Sequence, residues 1–437
     1  MIVAKFGGSS LADAAQFRRV RDIVLADSRR QVVVPSAPGK RFPQDEKVTD
    51  LFYQCHKARQ KGEPFQPVLE VIRGRYGEIA EKLGLALDLD GIFQQIWEQI
   101  ARGAGPDYCA SRGEFVNGQL LAEYLGFSFL DAAQAIVFDD DGKLDEEETN
   151  SLLQQELLER VPVVLPGFYG RGPQGQIKVF SRGGSDVTGA LAARAVGAEV
   201  YENWTDVSGF LMADPRIVQD PQPIRHLTYH EMYALSCAGA TVLHEDSVGP
   251  VSRAGIATNI RNTNRPDHPG TMITSTAVKR ENFSIFAGIA GRKGYSLVLL
   301  EGEDPQQGAF AQKILRAARA HGMDPQAPAV SGAHISFLVD SGEYEHEEEE
   351  FAARAAILGA VQPPEVHTGF ACIVLVGYGV PHNHRTLSRI FQTLQSRNIP
   401  VAMIHQGISE ISTWVGVGEE YMEEAIRALY LEFSKGK

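Results

Sequence analysis

Two glycine turns, one near each end of the N-terminal half, carry the residue types of an anion site. The first is Lys5-Phe6-Gly7-Gly8-Ser9-Ser10, where a strand runs into two glycines, two hydroxyls and then a helix. Glycine lets the backbone come close to an anion, and a helix N-terminus offers free N–H groups with positive partial charge. Lys5 adds a full charge at the strand end. A plain strand–helix turn with a solvated lysine is the alternative. The second turn is Ser181-Arg182-Gly183-Gly184-Ser185-Asp186, again ahead of a helix. Arg182 suits two-pronged recognition of a carboxylate or phosphate. Asp186 either caps the helix or organises cations at a reacting centre. Two such turns, each with its own cation, point to a site for two anionic partners. A third cluster runs from Asn203-Trp204-Thr205-Asp206 through Gly209 and Leu211 to Asp214-Pro215-Arg216. By itself it reads equally well as a functional or a plain surface loop.

Other motifs carry less. Gly39-Lys40 is followed by Arg41 and lacks the upstream glycine of a phosphate-binding P-loop. Gly170-Arg171-Gly172-Pro173-Gln174-Gly175 fits a dinucleotide pattern on paper, but it contains proline and leads into a strand, so a hairpin is expected. His226 and His230 are spaced for one helix face without the intervening acid of a zinc motif. His382-Asn383-His384 reads as a polar loop entering a helix. The acidic run at 345–350 reads as a solvated helix start.

The elements that must hold these residues alternate. Ile2–Phe6, Gln31–Val34 and Val161–Leu165 read as buried strands, and Val179–Phe180 leads into the second glycine turn. Ala12–Ala26 has helical periodicity, with Phe17, Val20, Ile23 and Val24 on one face, and Thr188–Val196 is an alanine-rich helix. Such alternation predicts a mostly parallel sheet with helices on both faces, and ligands at the carboxyl ends of its strands. After about residue 280 the character changes. Two units of β-α-β-β-α-β order follow, the first from a strand at Tyr295–Glu301 and the second from one at Ala371–Gly377. The expected domains are 1–280 and 283–437, the latter holding two modules at about 290–368 and 370–437.

At 437 residues the chain exceeds a single core, and 43% hydrophobic against 22% charged residues excludes global disorder. Its formal net charge of −13 argues against nucleic acid or an anionic membrane surface as partner. Four cysteines without a Cys-x-x-Cys pair fit a reducing compartment. Glycine and charge arrive too early for a signal peptide, and no apolar run suits a membrane span. A cytoplasmic location is the expectation.

Taken in order, the clusters resemble the aspartokinase family. KFGGSS at 5–10, SRGGSDVTGALAA at 181–193 and WTDVSGFLMADPRIV at 204–218 are similar to its three long signatures. SAPGK at 36–40 with Val48-Thr49-Asp50-Leu51, and SRGEF at 111–115, are similar to two shorter ones. The C-terminal repeat resembles the paired ACT modules of that family. The resemblance implies an α/β three-layer αβα sandwich of amino-acid-kinase type with two ferredoxin-like ACT modules. It implies that Lys5 bridges the phosphates of ATP, and that Gly7, Gly8, Ser9 and Ser36 offer donors to the transferring group. Gly183 and Gly184 then belong to the phosphate site. Thr205, Asp206, Leu211, Asp214 and Arg216 line the nucleotide. Thr49, Glu114, Arg182 and Ser185 hold L-aspartate, with Arg182 on its α-carboxylate and Glu114 on its ammonium. Asp186 orients Lys5. Mg²⁺ with ATP, an amino-acid effector (lysine or threonine) and a homodimer joined through residues 283–437 complete the expectation.

The chemistry fits these residue types. The nucleophile is a carboxylate, already ionised at pH 7, so no general base is needed. What is needed is relief of repulsion between a carboxylate and a polyanion, by positioning and electrostatics. Two departures stand on the nucleotide side: Leu211 where the family commonly has an aromatic, and Thr241 and Glu245 where it commonly has lysine and proline. The stretch 325–332 also lacks the acids that lysine-sensing relatives place near it. Another phosphotransferase of the superfamily and a non-catalytic amino-acid sensor remain as alternatives.

Overall fold

The computed structural model describes residues 1–181, 183–240, 247–275, 286–303, 309–378, 380, 385–406 and 411–434. Arg182, Thr241, Glu245 and the 382–384 motif lie outside the described residues. The chain forms two compact units. The first comprises Met1–Phe210, Pro223–Tyr229 and Val242–Val278; the second takes Leu211–Gln222, His230–Thr241 and Lys279–Lys437. No described helix is long and apolar enough to cross a membrane.

The strands of the first unit are β1 (Ile2–Phe6), β2 (Arg30–Pro35), β3 (Ser128–Phe129), β4 (Val163–Val164), β5 (Tyr169–Arg171), β6 (Ile177–Val179), β7 (Val200–Thr205), β8 (His226–Thr228), β9 (Ala257–Asn262) and β10 (Thr271–Thr274). Eight of them form one sheet in the order β3-β4-β2-β1-β7-β9-β10-β8. Every pairing is parallel except that of β9 with β10. The α/β class with a mostly parallel sheet is therefore as expected. β5 and β6 make an antiparallel hairpin around the 170–175 glycines, in place of any nucleotide fingerprint.

The helices of this unit begin with α1 (Ala14–Leu25), α2 (Val48–Gln60), α3 (Gln66–Leu83), α4 (Leu89–Ala101) and α5 (Pro106–Leu125). These five pack with Ala4, Phe6, Val33, Val164 and Trp204 in one apolar core. Alternation along a strand then sends Lys5 to the opposite face. That face is covered by α6 (Glu146–Arg160) and α7 (Gly184–Ala195), α7 packing over β1, β2 and β7. β1 is buried on both faces, as a central parallel strand must be.

One boundary differs from expectation. The residues after Gly7 make a short 3₁₀ turn over Gly8–Leu11, and α1 begins only at Ala14. Asp13 caps α1, its carboxylate accepting from the Gln16 N–H at 2.9 Å. The capping acid occupies that N-terminus, so the backbone that follows Gly7 is the 3₁₀ turn and not the start of α1.

The short α9 (Gly249–Arg253) belongs to the first unit, whereas α8 (Tyr229–Cys237) lies in the second from His230 onward; there follow β11 (Gly288–Glu301), α10 (Ala309–Ala320), β12 (Gln326–Ser331), β13 (His334–Asp340), α11 (Ser341–Ile357), β14 (Glu365–Val376), α12 (Arg385–Gln395), β15 (Met403–His405), β16 (Ser412–Gly418) and α13 (Met422–Ser434). They form one six-stranded antiparallel sheet, β12-β13-β11-β14-β16-β15. Two long strands make it continuous. Tyr295–Glu301 of β11 pairs with β13, while Gly288–Arg292 pairs with Cys372–Val376 of β14, which in turn pairs with β16. Asp340 caps α11 ahead of the acidic run, and Glu347 of that run lies 3.0 Å from His321, so part of it is paired.

Backbone contact welds the loops after β1 and β2. The Gly39 N–H donates to the Gly8 carbonyl at 2.8 Å, and a Cβ on Gly39 would stand 2.6 Å from the Gly8 carbonyl carbon. Gly39→Ala is expected to destabilise the fold by about 1–3 kcal/mol. Gly74→Ala, at an exposed position within α3 with open space around it, is expected to stabilise by about 0.5–1 kcal/mol. Urea midpoints of the two variants check the contrast.

Candidate active site

The carboxyl ends of β1, β2 and β7 meet at one corner. Lys5 pairs in register with Val34 on one side and Asn203 on the other. Its Nζ stands 2.5 Å from Oδ1 of Asp186 in the first turn of α7. It also donates to Asn203 Oδ1 at 3.5 Å, and Asn203 Nδ2 donates to Asp186 Oδ1 at 2.7 Å. The Tyr201 hydroxyl donates to the Asp186 backbone carbonyl at 3.1 Å. The lysine and aspartate side chains are only 8% and 19% exposed, which makes this a closed charge pair. An ammonium has three donors, so one carboxylate and one amide leave capacity for an incoming oxyanion.

Two backbone features surround this ammonium. The Gly7 N–H donates to the Trp204 carbonyl at 3.0 Å and the Ser36 N–H to the Phe6 carbonyl at 3.0 Å, which fixes both loops to the strand ends. Across the corner, Gly183 takes a left-handed conformation with φ of 57° and leads directly into α7, with no side-chain cap. Only glycine adopts that conformation at no cost. The uncapped start gives α7 the open N–H groups and positive end that favour an anion. Ser185 is buried at this start against Gly167, where a Cβ would come within 2.6 Å of the serine Cβ.

A second group of side chains comes from the other helical layer. Glu114 and Asn117 lie on α5 and are buried. The Glu114 carboxylate accepts from the Ala37 N–H, and Asn117 Nδ2 donates to the Ser36 carbonyl at 2.6 Å. Burial outweighs that hydrogen bond and pushes the Glu114 carboxyl up to about 8. Gly113 lets α5 approach closely: a Cβ there would be 2.8 Å from that of Ala37 and 3.4 Å from Val48, the first residue of α2. Half-buried Thr49 sits in that first turn.

The structure thus brings Lys5, Gly7, Asp186 and the start of α7 together. It also ties Ser36 and Glu114 to one loop, which Gly8 touches through Gly39. Thr205 and Asp206 follow directly at the end of β7, the Thr205 hydroxyl donating to Asp206 at 3.2 Å. Asn262 steadies that turn through the Asp206 carbonyl at 3.1 Å. Leu211, Asp214 and Arg216 belong to the second unit. There Asp214 and Arg216 form an ion pair at 2.6 Å, which holds the aspartate below its usual range. Asn117 and Tyr201 escaped the sequence reading, and Asn203 entered it only as the first residue of the third cluster, without a role. Only Asn203 had a signal, as the residue ahead of Trp204-Thr205-Asp206.

Comparison with known proteins identifies the family. Residues 1–262 match the amino acid kinase family and residues 373–433 the ACT domain. Aspartokinase 3 of Bacillus subtilis is 32% identical over 459 aligned residues, covering 100% of this chain and 99% of that one. The chain belongs to the aspartokinase family. The crystal structure of Clostridium acetobutylicum aspartate kinase matches it with a TM-score of 0.92 at 39% identity, over 99% of this chain and 100% of that one. Escherichia coli aspartokinase III in complex with aspartate and ADP shares the fold, with a TM-score of 0.79 at 24% identity over 100% of both chains.

Glu114 gives this aspartokinase a pH signature. Its carboxyl has an ordinary value of 4.5 and is pushed up to about 8 in the fold. Below the ordinary value the group is neutral in both folded and unfolded chains, and its stabilising preference for the fold is intact. As pH rises, the unfolded chain ionises first. Stability then falls by up to about 1.4 kcal/mol per pH unit until the folded group titrates. Glu114→Gln removes that slope, so the variant is expected to gain on its parent between about pH 5 and pH 8. Melting temperatures of the substrate-free proteins at the two pH values check it, and parallel curves would refute it.

Proposed function

We propose that Lys5 and Asp186 carry the catalytic step of this aspartokinase, with Asn203 fixing their geometry. The reaction moves the γ-phosphoryl group of ATP onto the side-chain carboxylate of L-aspartate, giving 4-phospho-L-aspartate and ADP. Lys5 bridges the phosphates and takes up charge that develops on the transferring group. Asp186 holds the ammonium in place from α7, in the helical layer that Lys5 faces. Backbone N–H groups of Gly7, Gly8 and Ser9, with Ser36, Gly183 and Gly184, surround the phosphates. Thr205, Asp206, Leu211, Asp214 and Arg216 are assigned to the nucleotide.

Aspartate is assigned to Thr49, Glu114, Arg182 and Ser185. Glu114 answers the ammonium, and Arg182 the α-carboxylate. An amino-acid head group needs both signs in its pocket, which separates this site from one built for a simple phosphate acceptor. Residues 1–280 are assigned to catalysis and 283–437, with their two ACT-like modules, to regulation in a cytoplasmic enzyme.

Mg²⁺ sites in kinases use one or two carboxylates together with substrate phosphates. Asp186 supplies one carboxylate at this corner, and that donor set fits. Asp186 would hold the ion, which supplies neutralisation of phosphate charge when bound with ATP.

The second unit is the proposed sensor. Escherichia coli aspartokinase III, a fold relative at 24% identity, has been solved in complex with lysine and aspartate in a T-state. An amino-acid effector, lysine or threonine, is proposed for this chain on the strength of its ACT domain. β12 and β15 end the six-stranded sheet, and unpaired strand edges favour association with another copy. A homodimer through this unit follows.

The observation that carries the reading is the triangle of Lys5, Asp186 and Asn203 at the carboxyl ends of two parallel strands. Lys5→Ala is expected to lower kcat with L-aspartate and Mg-ATP by about 10²–10³ while the far-UV spectrum is retained. Parent-like turnover by the variant would end the assignment. The same assay titrated with lysine and threonine is expected to change in rate with one of them. No response in rate or melting temperature to either would retire the effector.

A further inference from the structure

Two buried side-chain oxygens on α5 have no hydrogen-bond partner among the described residues: Oε2 of Glu114 and Oδ1 of Asn117. The two residues are three apart, so they share one helix face. The other polar ends of both side chains hold one loop, Glu114 through the Ala37 N–H and Asn117 through the Ser36 carbonyl. That contact also settles the Asn117 amide. Flipping it would set Oδ1 against the Ser36 carbonyl, acceptor against acceptor, so the free end is the oxygen. An oxygen buried without a partner is costly, and once Glu114 is ionised both oxygens are acceptors, which a ligand group that only donates satisfies together. A primary ammonium, with three N–H donors, is such a group.

We propose that Asn117 determines substrate specificity, its Oδ1 sharing the α-ammonium of the amino-acid substrate with Glu114 while its Nδ2 anchors the loop at 36–39. The proposal rests on the assignment of Glu114 to that ammonium. It explains why an amide stands here and not a second acid. Asparagine adds an acceptor and a direction without another negative charge, which would repel the two carboxylates of aspartate and oppose ionisation of Glu114.

Succinate, which is aspartate without its amino group, makes the test specific. The full-length enzyme and Asn117→Ala are compared for aspartate KM, ATP KM and the inhibition constant of succinate against aspartate. Aspartate KM is expected to rise about 10- to 100-fold, the weight of one hydrogen bond to a charged group, with succinate inhibition and ATP KM nearly unchanged. A side chain that only props the loop would weaken aspartate and succinate together, and that result overturns the proposal. Should Asn117→Ala fail to fold, Asn117→Asp carries the test. It keeps the oxygen and loses the donor to Ser36, so it is expected to keep the parent's preference for aspartate over succinate while kcat falls. Loss of that preference overturns the proposal. A parent enzyme that does not phosphorylate aspartate removes the assignment of the whole site, an outcome distinct from an active parent whose preference is indifferent to Asn117.

Discussion

An ammonium at the end of a strand buried on both faces constrains the whole first unit. Taking such a charge out of water is expensive, and it persists only where a counter-charge and matched donors are held in place. Lys5 meets that condition through Asp186 from α7 and Asn203 from β7. Three separate elements must therefore keep their relative positions closely. Close packing provides this. Gly189 of α7 faces the Tyr201 ring, where a Cβ would come within 2.6 Å of the hydroxyl, and that hydroxyl holds the Asp186 carbonyl. The glycine that brings helix to strand and the tyrosine that fixes the helix start thus serve the same charge pair.

The same logic governs the other layer. The loops after β1 and β2 touch backbone to backbone at Gly8 and Gly39, and Arg75 of α3 donates to the Gly39 carbonyl at 2.8 Å. α5 holds the second loop at Ser36 and Ala37. A displacement of α5 is therefore a displacement of the loop at 36–39. Preorganised donors act only while their geometry is fixed in advance. Buried apolar packing of α1 to α5 keeps this geometry rigid.

What the sequence made legible was local. The β1 strand, the apolar face of α1 and both glycine turns follow from periodicity and turn chemistry within a dozen residues. The hairpin at 170–175 followed from proline and glycine in the same way. Lys5 and Asp186 were legible as residue types, whereas their contact spans 181 positions and needs the strand order. Asn117 was missed, and Asn203 was named without a role, because an asparagine gains meaning only from what it faces. The long strands β11 and β14 were read too short, since Gly288–Arg292 is strand-like only through pairing with Cys372–Val376. The 3₁₀ turn before α1 was missed because Asp13 competes with Gly7 as a helix start, and backbone capping decides between them.

Electrostatics gives a reason for burying the acid proposed for the aspartate side. Both substrates are anions, and the chain carries a formal charge of −13. Screening confines exposed charges to about 8 Å at physiological salt, so the sign that matters is local. Lys5 and the open start of α7 bring positive charge to the corner proposed for the phosphates. On the proposed assignment the amino-acid side must still offer a negative group to an ammonium. A permanently ionised carboxylate there would repel both carboxylates of an approaching aspartate. A permanently neutral amide would not balance the ammonium once it arrived. Burial of Glu114 lies between these: its carboxyl, pushed up to about 8, stays largely protonated at neutral pH while the pocket is empty. A cation brought to its free oxygen reverses that preference and draws the proton away. The pocket then shows negative charge only to a ligand that brings the matching positive charge with it.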